Sequence, residues 1–465
     1  MHFRFLRLAR AAFFSPSSLG PRRIAYALLA GATLALASCG GNGGASTYTV
    51  RGTVNGLLGT GLVLQNNGAD DLAIAADGSF SFATPLASKA SFAVTVKSQP
   101  KILTRVCTVS NGSGSVAGAA VVNVAVNCAA PAARFAYVLH QGSDSISIYN
   151  LDAVSGSLNL LLGANVPTGS VPVSITVHPT GRFAYVTNLN SNAVSAYTID
   201  VATGALTANG APSTGTSPLS VTVDPTGRFA YVANRDSNNL SAYTIDATGA
   251  LSAMTSSPVV PTGAAPHSVI ADPTGRFVYV ANLADKNVSG FSIHPTTGEL
   301  TAIPGPNATT ENDPYFISMD PAGRFAYVTN RLSGSVSGYT VNAATGALTA
   351  MSVPSVGAGS QPSSVTVDPT GKFAYVANFT SNNVSAYRIA ASGALTAIGV
   401  LPEPSQGVEP IFVAVEPTGR FAYVANSSSD TVASFTIDSA SGVLSPLGLL
   451  PVAGVSKPRA IAFAR

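Results

Sequence analysis

Charge is scarce in this sequence: only 10% of its 465 residues are charged, and it holds just five histidines and three cysteines. Each scarcity excludes something. So few histidines and cysteines leave no Cys/His cluster with the spacing of a zinc site. His-Glu-x-x-His, Gly-x-Ser-x-Gly, phosphate-loop and EF-hand patterns are also missing, so neither a metal nor a cofactor is expected. The formal charge of +3 reflects 24 basic against 21 acidic residues, but Arg4, Arg7, Arg10, Arg22 and Arg23 all precede Cys39. Beyond them the balance is 19 basic against 21 acidic. No basic stripe remains, which excludes nucleic acid as a partner. After the N-terminal segment no apolar run is long enough to span a bilayer.

What is abundant is repetition. Arg228-Phe229-Ala230-Tyr231-Val232-Ala233-Asn234 has near-copies starting at Arg134, Arg182, Arg276, Arg324, Lys372 and Arg420, at intervals of 48, 46, 48, 48, 48 and 48 residues. A fixed period of this length marks an array in which each unit buries its apolar surface against its neighbours. Between copies lie three more short runs, such as Leu240-Ser241-Ala242-Tyr243-Thr244-Ile245, Gly249-Ala250-Leu251 and Ser268-Val269-Ile270-Ala271. All are β-branched or aromatic in character and bounded by turn residues such as Asp224-Pro225-Thr226-Gly227. Four strands per period predict a propeller blade, and seven copies predict a seven-bladed β-propeller.

The first copy lacks a preceding Pro-x-Ser-Val-x-Val strand, whereas Pro458-Arg459-Ala460-Ile461-Ala462-Phe463 lacks a follower. The C-terminal strand should therefore complete the first blade and remove a sheet edge. Alternation in Phe229-Ala230-Tyr231-Val232 puts Phe and Tyr on one face, Ala and Val on the other, so one blade's aromatic face can settle on the next blade's small face. Twelve of the 15 tyrosines obey the repeat, and only Tyr26, Tyr48 and Tyr315 fall outside it.

The N-terminus has a different character. Residues 1–38 combine five arginines and no acid with the apolar run Ile24 to Ala37, which describes a secretory signal. Leu36-Ala37-Ser38-Cys39 resembles the lipobox of bacterial lipoproteins, which implies lipidation of Cys39, and Gly40 after it favours the outer membrane. Residues 39–46 read as a Gly/Asn tether. Residues 47–129 lack the period but keep the strand-and-turn texture, and roughly seven short strands predict a small immunoglobulin-like sandwich. Export leaves Cys107 and Cys128 as an even pair in an oxidising compartment, where a disulfide is expected. The propeller then occupies 134–465, and nothing in the pattern calls for more than a monomer.

Candidate functional residues are those that depart from the repeat on one end of the ring. The residues after the entering proline are Val173, Leu219, His267, Tyr315, Ser363, Ile411 and Arg459; those before it include Asp313, Gln361 and Glu409; those after the Asn-ending strand include Arg235, Arg331 and Phe379. His267, Tyr315, Arg235, Arg331, Arg459, Asp313 and Glu409 are expected to surround one mouth of the channel. An arginine-rich opening suits a carboxylate or phosphate. His178 and His294 replace turn aspartates and are expected to face solvent.

Pro-His-Ser-Val-Ile-Ala-Asp-Pro-Thr-Gly-Arg-Phe-Val-Tyr-Val-Ala-Asn at 266–282 resembles the seven-bladed lactonase family that includes 6-phosphogluconolactonase and carboxymuconate cyclases. Tyr-Val-Thr-Asn at 185–188 and 327–330 is similar to the repeat of surface propellers named for that tetrapeptide. The resemblance covers 134–465. It implies a site built from a Pro-His pair, an Asn-Glu pair and channel arginines, matched here by His267 as catalytic residue and by Arg331. The glutamate has no counterpart, because Asn188, Asn234, Asn282, Asn330, Asn378 and Asn426 are followed by Leu, Arg, Leu, Arg, Phe and Ser. Three readings stay open: a lipid-anchored envelope protein whose propeller binds a small anionic or sugar-acid ligand, or an envelope protein, without catalysis; a lactone hydrolase using His267 and the arginines; and a purely structural envelope module.

Overall fold

A computed structural model describes residues 46–465 apart from 58–59, 101–104, 162–164, 257, 399–402, 405 and 453. The expected secretory signal, the lipobox-like stretch and Cys39 lie outside the described residues. Within them the chain forms strands and turns and no helix.

Each repeat folds as an antiparallel sheet of four strands, with a fifth short strand in some, and seven such blades form. The innermost strands of blades two to seven are Pro172–Val177, Pro218–Val223, Pro266–Ala271, Pro314–Met319, Pro362–Val367 and Pro410–Val415. Pro458–Ala464 pairs with Phe135–His140 and supplies the innermost strand of blade one. It also touches the innermost strands of blades two and seven, so the ring closes.

The interfaces between blades repeat one chemistry. Phe229 and Tyr231 of blade three pack with Val278 and Val280 of blade four, the aromatic face on the small face. Tyrosine adds more than bulk. The Tyr231 hydroxyl donates to the Gly298 carbonyl of the next blade at 2.6 Å, and Tyr137, Tyr185, Tyr279, Tyr327 and Tyr375 do the same to Gly204, Gly249, Gly346, Gly393 and Gly442. Tyr423 of blade seven reaches Gly156 of blade one at 2.7 Å, which repeats the bond across the closure. The accepting residue must be glycine: at Gly298 φ is +77°, and a Cβ would overlap the Phe229 ring.

The turn acids work locally. Asp272 Oδ1 accepts the backbone amides of Arg276 and Phe277 at 2.7 and 2.9 Å, and Asp224, Asp320, Asp368 and Glu416 repeat the pattern. His178 stands at this position in blade two and corrects an expectation, because it is buried rather than solvent-facing. Its Nε2 lies 2.7 Å from the carbonyl of Gly227 on the neighbouring blade; the position is buried in the other blades as well, at Asp224, Asp272, Asp320, Asp368 and Glu416, because the turn packs against its neighbours. Burial lowers its pKa. His294 is exposed, its Nδ1 accepting the amide of Thr297.

Residues 47–129 form two four-stranded sheets and a two-stranded ribbon. One sheet holds Gly78–Ser81, Val50–Asn55, Val121–Ala129 and Val106–Ser110; the other holds Asp70–Ile74, Leu62–Asn66, Ser91–Ser98 and Ser113–Ser115. Val54, Leu64, Phe80, Phe82 and Val126 fill the core. Cys107 and Cys128 face each other on adjacent strands and are disulfide-bonded.

Candidate functional site at the channel mouth

In all seven blades the residue before the inner-strand proline is left-handed without being glycine: φ runs from 51° at Ala265 to 64° at Asp313, with Val171, Ser217, Gln361, Glu409 and Lys457 between. Such a backbone costs about 1–2 kcal/mol per residue, and hydrogen bonds hold it. An Asn or Asp side chain from the preceding blade accepts the strained amide in five cases, Asp144 to Val171, Asn192 to Ser217, Asn238 to Ala265, Asn382 to Glu409 and Asp430 to Lys457. Lys286 and Gly334 stand at the equivalent positions before Asp313 and Gln361. The two loops without an Asx clamp are the ones that lead into blades five and six, beside Tyr315 and Arg331.

There the departures from the repeat assemble. His267 Nδ1 lies 2.7 Å from the Tyr315 backbone carbonyl. A carbonyl only accepts, so Nδ1 carries the proton and Nε2 is the unprotonated nitrogen. The His267 and Tyr315 rings lie 3.8 Å apart between centroids. Arg459, on blade one, reaches over the channel to the Tyr315 hydroxyl on blade five, Nη2 to Oη 3.2 Å. The Arg331 guanidinium sits over the rings of Tyr315 and Phe379, at 4.9 and 5.5 Å. Its Nη2 donates to Gln361 Oε1 at 3.3 Å, while its Nε is buried without a partner.

The electrostatics follow from this packing. Burial, reinforced by the charges of Arg459, Arg331 and Arg235, pushes His267 down to about 3. Burial alone would raise Tyr315, but the Arg459 and Arg331 guanidiniums outweigh it and lower its pKa. Burial raises Asp313 against the pull of Arg331. Arg235 pairs with Asp236 at 2.7 Å on the exposed rim, and its charge still reaches His267 and Tyr315. Glu409 does not join the group; its carboxylate accepts the Ser428 hydroxyl of its own blade.

Below this cluster runs a cavity of about 340 Å³ lined by His267, Tyr315, Ser363, Arg459 and the inner strands. Its walls are laced by serines: Ser174, Ser220, Ser268 and Ser364 accept the amides of Val221, Val269, Ile317 and Val413 on the next blade. Phe316 and Phe412 replace this serine and meet edge to face, 5.7 Å apart. Sequence reasoning overlooked these two, and Phe379 and Gln361 as partners of Arg331, although each is a departure from the repeat. Among the described residues no group of three or more His, Cys, Asp or Glu side chains is arranged to hold a metal ion.

Comparison with known proteins places this geometry in context. No curated protein matches the chain. Among solved structures, a provisionally named 6-phosphogluconolactonase from Bacteroides uniformis is 20% identical, with a TM-score of 0.63 over 71% of this chain and 99% of that one. The periplasmic gluconolactonase of Pseudomonas aeruginosa is 23% identical, with a TM-score of 0.61 over 71% and 99%. A protein from Lactobacillus plantarum is 21% identical, with a TM-score of 0.62 over 72% and 100%. At these identities the likeness shows the fold. The model of the family described as lactonase, seven-bladed β-propeller, matches residues 90–222, 174–265 and 208–457. The matched segments span most of the chain, and the protein belongs to the seven-bladed β-propeller lactonase family.

Proposed function

We propose that the mouth binds a small anionic ligand of sugar-acid type, its carboxylate or phosphate received by Arg331, Arg459 and Arg235. The observation that carries this reading is the convergence of three guanidiniums on one Tyr-His pair, with an Arg331 Nε that is buried and unpartnered. A buried cationic donor without an acceptor is costly unless a ligand supplies one. His267, held near 3, is too weak a base to take a proton efficiently at neutral pH, which favours binding over chemistry. A purely structural ring has no use for such a mouth. The basic, apolar N-terminal segment and Cys39 support an exported, lipid-anchored protein of the bacterial envelope, with the outer membrane as its address.

A second reading, lactone hydrolysis, is favoured by the fixed His267 tautomer, whose unprotonated Nε2 belongs to a cavity-lining residue, and by family membership. An anion seated among the arginines would offset the charges that depress His267 and strengthen it as a base.

Calorimetric titration of the full chain with gluconate and 6-phosphogluconate tests the first reading, with proton release from glucono-1,5-lactone followed in parallel. Saturable binding that weakens at least tenfold in Arg459→Gln is expected. Absence of binding to either anion overturns it, and turnover that disappears in folded His267→Ala replaces it with the hydrolase.

A further inference from the structure

The opposite end of the ring holds a second chamber, of about 360 Å³. The turn prolines Pro179, Pro273, Pro321, Pro369 and Pro417 surround it, Phe463 closes it toward the channel, and the linker residues Ala130 and Pro131 run along it. Its volume falls in the range of small-molecule sites, and its walls are mostly pyrrolidine and aliphatic carbon. The prolines are there for turn geometry, because proline presets φ in each Pro-Thr-Gly or Pro-Ala-Gly turn. Closing the ring brings their apolar edges together, and a chamber results that no single repeat contains.

The chamber's polar groups are the His178 ring, the guanidinium of Arg465, whose Nη2 donates to the Pro179 carbonyl at 2.8 Å, and that of Arg105, from the sandwich. Arg105 Nη1 donates to the Cys128 carbonyl at 3.2 Å and its Nη2 to the Pro369 carbonyl at 3.0 Å, so one guanidinium touches both the sandwich and blade six. Those bonds use two of five N–H donors. The side chain is partly buried, and among the described residues no Asp or Glu carboxylate forms an ion pair with it. Asp77, the acid whose charge reaches it, spends its oxygens on the amides of Gly56 and Leu57. A sheltered guanidinium held only by neutral carbonyls, at the edge of an apolar chamber, is complementary to a carboxylate that carries an apolar body.

We propose that this chamber is a second ligand site, distinct from the arginine-rich mouth, and that it takes an amphiphilic carboxylate such as a medium-chain fatty acid: the carboxylate on Arg105, the chain among the prolines. The two sites divide anions by their bodies. The mouth is ringed by cations and serves hydrophilic acids, whereas the proline chamber serves acids with little hydrogen-bonding capacity beyond the head group.

Decanoate is the probe, with decanol as the uncharged control, titrated calorimetrically into the full chain with its disulfide intact. The expected result is one saturable site for decanoate and at least tenfold weaker binding of decanol. Arg105→Gln should weaken decanoate at least tenfold, and Ala130→Phe, which fills the chamber without removing a hydrogen bond, should abolish binding. Arg459→Gln should leave decanoate unchanged. Decanoate heat that survives Ala130→Phe, or that vanishes in Arg459→Gln, places the ligand elsewhere and overturns the proposal. So does the absence of saturable heat in the unmodified chain. Gluconate binding at the mouth is read separately, so either site can fail alone.

Discussion

The seven blade interfaces and the seven mouth positions sit on the same repeated backbone, yet they differ in one respect. At the interfaces, every blade puts a Phe against a glycine and a Tyr hydroxyl on that glycine's carbonyl. At the mouth, the residue after the entering proline is Val173, Leu219, His267, Tyr315, Ser363, Ile411 and Arg459, seven different side chains in seven blades. An interface faces another copy of itself, so its chemistry can repeat around the ring. The mouth faces a common axis, where seven identical side chains would meet one another and leave no asymmetric site. Periodicity therefore builds the frame, and its interruption builds the candidate site.

This contrast can be broken by experiment. The largest expected effect is at an interface: Phe277→Ala, which empties the contact with Gly346, should cost about 4 kcal/mol, seen as a lower denaturant midpoint. If it costs no more than a surface substitution, the interfaces do not carry the ring. The next effect lies outside the repeat. Opening the Cys107–Cys128 bond, with a sequence separation of 21, should remove about 3 kcal/mol from the sandwich, and reduction should leave the propeller's transition in place.

A blade-one irregularity gives an effect of similar size, dependent on pH. His140 stands where the other six blades have Asn; it is fully buried, both ring nitrogens lack partners, and burial lowers its pKa from 6.5 to about 4 despite Asp430. Between these values the unfolded chain binds a proton that the folded chain refuses. Stability should therefore fall as pH drops from 6.5 toward 4, by on the order of 3 kcal/mol for this residue. His140→Asn should make that slope shallower in thermal melts across the window by this residue's share, leaving the contributions of His267 and His178, whose shifts have the same sign; an unchanged slope would assign the acid sensitivity to those two.

Smaller again is Tyr231→Phe, which deletes the 2.6 Å bond to Gly298 and should cost about 1 kcal/mol. Smallest for stability is Arg459→Gln at the mouth, expected within about 0.5 kcal/mol of the parent while ligand affinity drops. A mouth substitution that unfolds the protein as readily as Phe277→Ala would erase the distinction between frame and site.

Much of the frame was readable from the chain because its causes are local and repeated. A 48-residue period, two-residue alternation in Phe229–Asn234 and an unmatched strand at Pro458 lead to seven blades and their closure. His178 was misjudged because its burial depends on the turn of the next blade, about fifty residues away at Gly227. At the mouth, departures from the repeat identified His267, Tyr315, Arg331 and Arg459, but gave no means of knowing that Glu409 would be held by Ser428 or that Gln361 and Phe379 would hold Arg331.

The number of blades, the strand order within each, the closing strand and the set of residues that escape the repeat all follow from local patterns summed along the chain. Which of the escaped residues meet depends on how the ring folds. Tyr315 and Arg459 are 144 residues apart and touch because ring closure turns sequence distance into an angle around one axis. The same closure gathers five turn prolines and the sandwich's Arg105 around a chamber that none of them encodes alone.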